Sequence, residues 1–155
     1  GQVTGQKTTP YSYALDGLFV GDMPQTGMAL GATVTPIDGL SVQALFNYYD
    51  KNYSDWSPNA REVASDGTAD REQVWMAPSY SKLDVHISYD LPVGIAGTQM
   101  TAFAHIFNAL DAIYVQDAVD HSQYNSYGDK VHAAHNAEVF FGTPRYFNAG
   151  LKVNF

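Results

Sequence analysis

Arg145 to Phe155, RYFNAGLKVNF, is the stretch that decides the fold of this 155-residue chain. Phe147, Ala149, Leu151, Val153 and Phe155 alternate with Asn148, Gly150, Lys152 and Asn154. A period of two places the two sets on opposite faces of a β-strand. One face is then wholly apolar and the other wholly polar. A soluble sandwich can use such a strand but rarely ends flush on it. The expectation is a final barrel strand with lipid on one side and a polar lumen on the other.

Strands with the same alternation recur upstream. In TGMALGATVTP, Met28, Leu30, Ala32 and Val34 oppose Ala29, Gly31, Thr33 and Thr35. Pro36-Ile37-Asp38-Gly39 reads as a tight-turn tetrad, with Pro and Gly suited to turn geometry. LSVQALFNYY then returns with Leu40, Val42, Ala44, Phe46 and Tyr48 on one face. A polar stretch from about Lys51 to Ser79 is too long for an ordinary connection in a compact domain. YSKLDVHISYDLP comes next, with Leu83, Val85, Ile87, Tyr89 and Leu91 against Lys82, Asp84, His86, Ser88 and Asp90. A short turn, Pro92 to Gly97, leads into GTQMTAFAHIFN, where Met100, Ala102, Ala104 and Ile106 share a face and Phe103 and Phe107 blur the pattern. A second long segment, about Asn108 to Thr143, precedes the last strand.

Short turns on one side and long polar segments on the other are the asymmetry of transmembrane barrels, whose strands run near ten residues. The predicted fold is all-β, the antiparallel up-and-down strands of a transmembrane β-barrel, with five or six strands in a single segment spanning residues 1–155. Met28, Leu30, Val34, Val42, Phe46, Leu83, Val85, Ile87, Leu151, Val153 and Phe155 are expected to share one apolar face. Tyr48, Tyr49, Tyr53, Trp56, Trp75 and Tyr80 gather where strands meet the first long segment, the place for an interfacial aromatic belt. The alternative is that they pack a soluble sheet.

Composition narrows the function classes. Cysteine is absent, which excludes disulfides, thiolate metal sites and a cysteine nucleophile. Sixteen acidic against eight basic residues give a formal net charge of −8, a poor match to nucleic acid. No apolar run reaches the roughly 18 residues that a spanning helix needs. GQVTGQKTTP lacks a basic start and an apolar core, so no signal peptide is read there. A mean hydropathy of −0.22 is compatible with alternating strands, whose two faces average out.

Five phrases carry a resemblance: GDMPQT (Gly21 to Thr26), NYYDKNYSDWSP (Asn47 to Pro58), WMAPSYSKLDVHISY (Trp75 to Tyr89), HIFNALDAIYVQDA (His105 to Ala118) and FFGTPRYFNAGLKVNF (Phe140 to Phe155). In this order they resemble the C-terminal end of TonB-dependent receptors of Bacteroidota-type bacteria, from about Leu18 onward. Phe107-Asn108 followed by Tyr114 resembles their penultimate-strand signature, and the terminal strand their outer-membrane insertion signal. The resemblance implies active nutrient uptake across the bacterial outer membrane, driven through TonB. It also implies a barrel of about 22 strands and a plug domain, which this chain does not include. The partners implied are the rest of the barrel and plug, the TonB system and outer-membrane lipid.

Catalytic and metal sites are not expected, and neither is a cofactor. No GxSxG-like nucleophile elbow is present. His132 and His135 of the HAAH stretch, with Asp120 and His121 upstream, lack a helix-borne HExxH pattern and a fixed third ligand; solvated loop histidines are the expectation. Asp66 to Glu72, DGTADRE, lacks calcium-loop spacing and reads as a hydrated external loop. Asp84, His86, Ser88 and Asp90 would face the lumen as ordinary polar lining.

Two further readings remain open. Five or six strands leave two edges of unpaired backbone groups, each group costing several kcal/mol in lipid. Identical copies stacked edge to edge into an extracellular cross-β fibre would also pair those edges, and this is the runner-up to the receptor reading. In that case the long segments would be extended, and filaments would repeat at about 4.7–4.8 Å. A soluble β-sheet binding module is the third reading.

Overall fold

The computed structural model describes residues 10–92, 97–124 and 130–154. The fold is all-β, with short 3-10 turns and no α-helix among the described residues. Its strands are β1 (Pro24–Ile37), β2 (Leu40–Tyr53), β3 (Met76–Ala77), β4 (Tyr80–Asp90), β5 (Gln99–Phe107), β6 (Val115–Asp120), β7 (Ala137–Phe141) and β8 (Tyr146–Asn154). The main sheet runs β1-β2-β4-β5-β8, antiparallel throughout, with β3 added to the far end of β2. Among the described residues the sheet does not close on itself. β1 and β8 are its outer edges, and β6 and β7 form a separate pair.

Register confirms the alternation read from the sequence. Leu30 lies opposite Phe46 and Val34 opposite Val42. Phe46 and Val42 in turn face Leu83 and Ile87, Val85 faces Ile106, and Ala102 and Met100 face Leu151 and Val153. Directly opposed residues share a face, so these side chains form one apolar surface across all five strands. Phe155 lies outside the described residues.

The blurred positions of β5 are also settled. Phe103 and Phe107 pair with Gly150 and Tyr146 and belong to the other, largely polar face. Phe103 lies against the backbone of Gly150, where a Cβ would approach its ring to 2.7 Å. The glycine makes room for the ring.

Among the described residues nothing covers the apolar surface. On the edge strands Leu30, Leu151 and Phe147 are 60%, 61% and 69% exposed, and the inner strands are half-buried. The buried apolar residues are Ala14, Val74, Ala77, Tyr114 and Ala118, all outside the five long strands. The accessible surface of 10635 Å² compares with about 7,700 Å² for a compact monomer of this mass. The sheet is a single layer.

The first turn is tighter than the Pro36 to Gly39 tetrad suggested. β1 continues to Ile37, which pairs with Leu40, and only Asp38 and Gly39 lie between the strands. Gly39 adopts φ +79°, a region that glycine enters without a Cβ penalty. The second turn is described only at its ends, since 93–96 lie outside the described residues; Thr101 Oγ1 donates to Asp90 Oδ1 across its base at 2.7 Å.

At the opposite end the long segments fold into a cap, in which Asp66 to Glu72 stay largely exposed, in keeping with the hydrated-loop expectation. Asp55 N–H donates to Ala118 O at 2.7 Å, and Asp120 N–H donates back to Asp55 O at 2.8 Å. The leading segment joins them through Ala14 N–H to Arg61 O and Val63 N–H to Ser12 O. Three 3-10 turns (Pro58–Arg61, Ser122–Tyr124 and Ala134–Asn136) interrupt these segments.

Candidate functional site

Asn108 ends β5 with φ +50°, and its buried side chain ties down the loop beyond the strand. Its Nδ2 donates to Ala112 O at 2.9 Å and Thr143 O at 3.2 Å, while its Oδ1 accepts from Ala112 N–H at 3.0 Å. Asn tolerates this left-handed backbone better than most residues. The loop that it shapes delivers Tyr114 onto the polar face of the sheet, where its ring stacks on Tyr80 at 4.2 Å. Tyr80 in turn sits 5.1 Å from Tyr49. Gly142 is required here, because any Cβ at that position would overlap the Tyr114 ring.

These three tyrosines wall an open cavity of about 490 Å³ between sheet and cap, with Lys82, Asp22 and Asp117 on its margin. The Lys82 ammonium lies 5.6 Å from the Tyr114 ring centroid, a cation–π contact. Partial burial, a hydrogen bond with the Asp117 carboxyl and the charges of Asp55 and Asp117 push the Asp22 carboxyl up from its ordinary value. Aromatic faces, one cation and paired carboxyls suit a polar ligand held by stacking and hydrogen bonds.

The aromatics expected to form a belt divide between environments. Tyr48 and Tyr49 are successive residues of β2 and point to opposite faces. Tyr53 stacks on Phe19 at 4.7 Å, and Trp56 Nε1 donates to Phe19 O at 2.9 Å. Those two rings hold the cap together.

Of the loop histidines, His132 is not solvated: its side chain is 4% exposed. Nδ1 and Nε2 each lie 2.7 Å from a carboxylate oxygen, of Asp120 and Asp70 respectively. Asp70 also meets Arg61 Nη1 at 2.8 Å, and Arg61 is fully buried beneath the Trp56 ring. Burial by itself raises the Asp70 carboxyl, but the His132 and Glu72 N–H bonds and the charges of Arg61 and His132 outweigh it and hold Asp70 below its ordinary value. Ser122 Oγ donates to Asp120 Oδ2 at 2.9 Å and completes the network. His121 pairs instead with Glu138 at 2.9 Å on the exposed side, and His135 lies in the last 3-10 turn. Among the described residues no group of three or more His, Asp or Glu is placed to hold a metal ion.

On the sheet itself, Asp84, His86, Ser88 and Asp90 share the polar face. Asp84 Oδ1 accepts from Asn108 N–H at 2.8 Å. His86 lies opposite His105 of β5, with Nδ1 to Nδ1 at 2.9 Å. The one sequence signal for His105 is its place between Ala104 and Ile106, which puts it on the polar side.

Comparison with known proteins finds no matching family model, no matching curated protein and no matching solved structure.

Proposed function

We propose that this chain is a C-terminal wall segment of an outer-membrane TonB-dependent nutrient-uptake receptor. One observation carries the reading: a single-layer antiparallel sheet with a continuous uncovered apolar face, a polar opposite face and two open edges. Water penalises such a surface by about 25 cal/mol per Å² left exposed, whereas a bilayer solvates it. Open edges in lipid require further strands, which the remainder of the barrel would supply. The polar face, with its tyrosine-walled cavity, would then line the lumen, and the cap would stand at the external end. Plug and TonB system are the partners on this reading, the outer membrane is the location, and no catalytic role is assigned.

These 155 residues contain no cysteine of their own to add background labelling. In outer-membrane vesicles, Val85→Cys and Leu151→Cys should resist a membrane-impermeant maleimide, while Ser88→Cys and Lys152→Cys react. Equal labelling of the two faces would sink the proposal.

A further inference from the structure

We propose that His86 and His105 form a two-histidine chelate for a square-planar divalent transition-metal ion, copper(II) foremost, on the polar face of the sheet. The two residues are direct cross-strand partners on neighbouring strands, so their Cβ atoms are fixed by the backbone ladder. Both rings turn Nδ1 inward, 2.9 Å apart. Neighbouring rings hold them there: Phe103 stacks on His105 at 5.2 Å, and Phe107 meets His86 edge-on at 5.4 Å.

The spacing is one that a right-angled chelate can use. With metal–nitrogen bonds of about 2.0 Å, two ligands at right angles stand about 2.8 Å apart, and two at a tetrahedral angle about 3.3 Å. The observed 2.9 Å, an ordinary hydrogen-bond distance in the metal-free pair, needs little change to reach the first, which is the preference of copper(II) and nickel(II). Copper(II) also heads the affinity order for imidazole nitrogen. Zinc would need wider spacing and more protein ligands than this face presents.

Metal-free, one Nδ1 must donate to the other, since two facing lone pairs repel. Binding moves that proton to Nε2 of the same ring, leaving two neutral imidazoles with both Nδ1 lone pairs on the metal and no change in ring charge. Beside the pair lies a small cavity of about 180 Å³ lined by Thr33, Ser41, Gln43 and Ser88. Its hydroxyl and amide groups suit hydrogen bonding to water or oxygen ligands on the remaining positions. The site would therefore be open and exchangeable.

The pair sits on the polar face alone, independent of what closes the sheet. The test is a copper(II) titration of the detergent-extracted protein against glycine as a weak competitor, read by electron paramagnetic resonance. One copper per chain with a two-nitrogen hyperfine pattern is expected. Second-layer partners alone are worth about 10–100-fold in metal affinity, so His86→Ala or His105→Ala should weaken binding at least about tenfold and leave a one-nitrogen pattern. His121→Ala, whose ring sits in the cap, should change nothing. Should an alanine variant fail to fold, His86→Gln and His105→Gln keep a hydrogen-bonding side chain and give the same readout. A one-nitrogen pattern in the unmodified protein, no binding against glycine, or undiminished binding in the His86 and His105 variants overturns the site.

Discussion

Arginine placed on the apolar face should distinguish a lipid-facing wall from a wet one. Val85 is the central residue of β4, flanked on its own face by Leu83 and Ile87 and opposed by Ala44 and Ile106. β4 has 11 residues; at about 3.4 Å each it runs about 35 Å. Tilted by about 40°, it would rise about 27 Å, close to the roughly 25 Å apolar band of outer-membrane barrels. Val85 then stands about 13 Å from either interface, near the depth where arginine costs about 2–4 kcal/mol. At about 1.36 kcal/mol per decade, Val85→Arg should shift the folding equilibrium roughly 30- to 900-fold. Ser88→Arg, three residues on and facing the polar side, should stay within about 0.5 kcal/mol. If the sheet stood in water, the half-buried Val85 site would also tolerate arginine with little loss. The assay is the yield of folded, heat-modifiable protein in outer-membrane fractions of cells expressing the gene. Equal yields for the two variants, or folded protein in the soluble fraction, would refute the reasoning.

Other expectations concern the cap. Asp70, held low by its partners, contributes stability that is present above its unfolded value near 3.8 and disappears as pH falls through the lower folded value. Acid titration followed by fluorescence of Trp56 should show cap loosening that Asp70→Asn already displays at neutral pH; an unchanged acid profile in that variant would contradict the network. Asp22 is shifted the other way, so its contribution is present below its unfolded value near 3.8 and is lost as pH rises through the raised folded value. Asp22→Asn should therefore raise the thermal midpoint at pH 7 and not at pH 3. Arg61→Met leaves Asp70 and the neighbouring backbone carbonyl of Glu72 without their buried donor. Breaking a buried pair costs about 3–5 kcal/mol, discounted here to about 2–3 because Asp70 is partly exposed, and denaturant unfolding measures it. Gly142→Ala drives a methyl into the Tyr114 ring and should cost about 1–3 kcal/mol in the same measurement.

The wall was legible in the sequence because period-two alternation is a local signal. Leu83, Val85 and Ile87 declare their face without reference to any other strand, and pairing then carries that face across the sheet. Phe103 and Phe107 resisted the reading for a physical reason. They are apolar side chains on the polar face, one filling the space over Gly150 and the other stacked on Tyr146 at 4.6 Å. The cap was not legible. Its central contact, His132 to Asp70, joins residues 62 apart, and Arg61 is buried inside a stretch whose composition reads as exposed. No periodicity marks β6 and β7 either. His132 and His135 look equivalent in HAAH, and nothing in that spacing announces that His132 bridges Asp120 and Asp70.

Strand lengths explain why the cap grows where it does. β4, β5 and β8 have 11, 9 and 9 residues, whereas β1 and β2 have 14 each. On the outer-membrane reading proposed above, about 9–11 tilted residues would cross the bilayer, and β1 and β2 would overshoot by at least about three. The short turn at Asp38-Gly39 anchors them at one end, and the excess emerges at the other. There Lys51 takes φ +56°, Asn52 and Tyr53 pair with β3, and Asn52 Nδ2 reaches Gln116 O at 3.2 Å. The overhang of β2 thus becomes the platform on which both long segments meet. Shortening it by deleting Asn52 and Tyr53 together should release the cap while leaving the pairing of Ala44 with Val85 intact. Cap contacts and wall register would then report separately, through Trp56 fluorescence and through a disulfide between cysteines placed at those two paired positions. Loss of both signals at once would mean that wall and cap fold as one unit, against the division drawn from strand length.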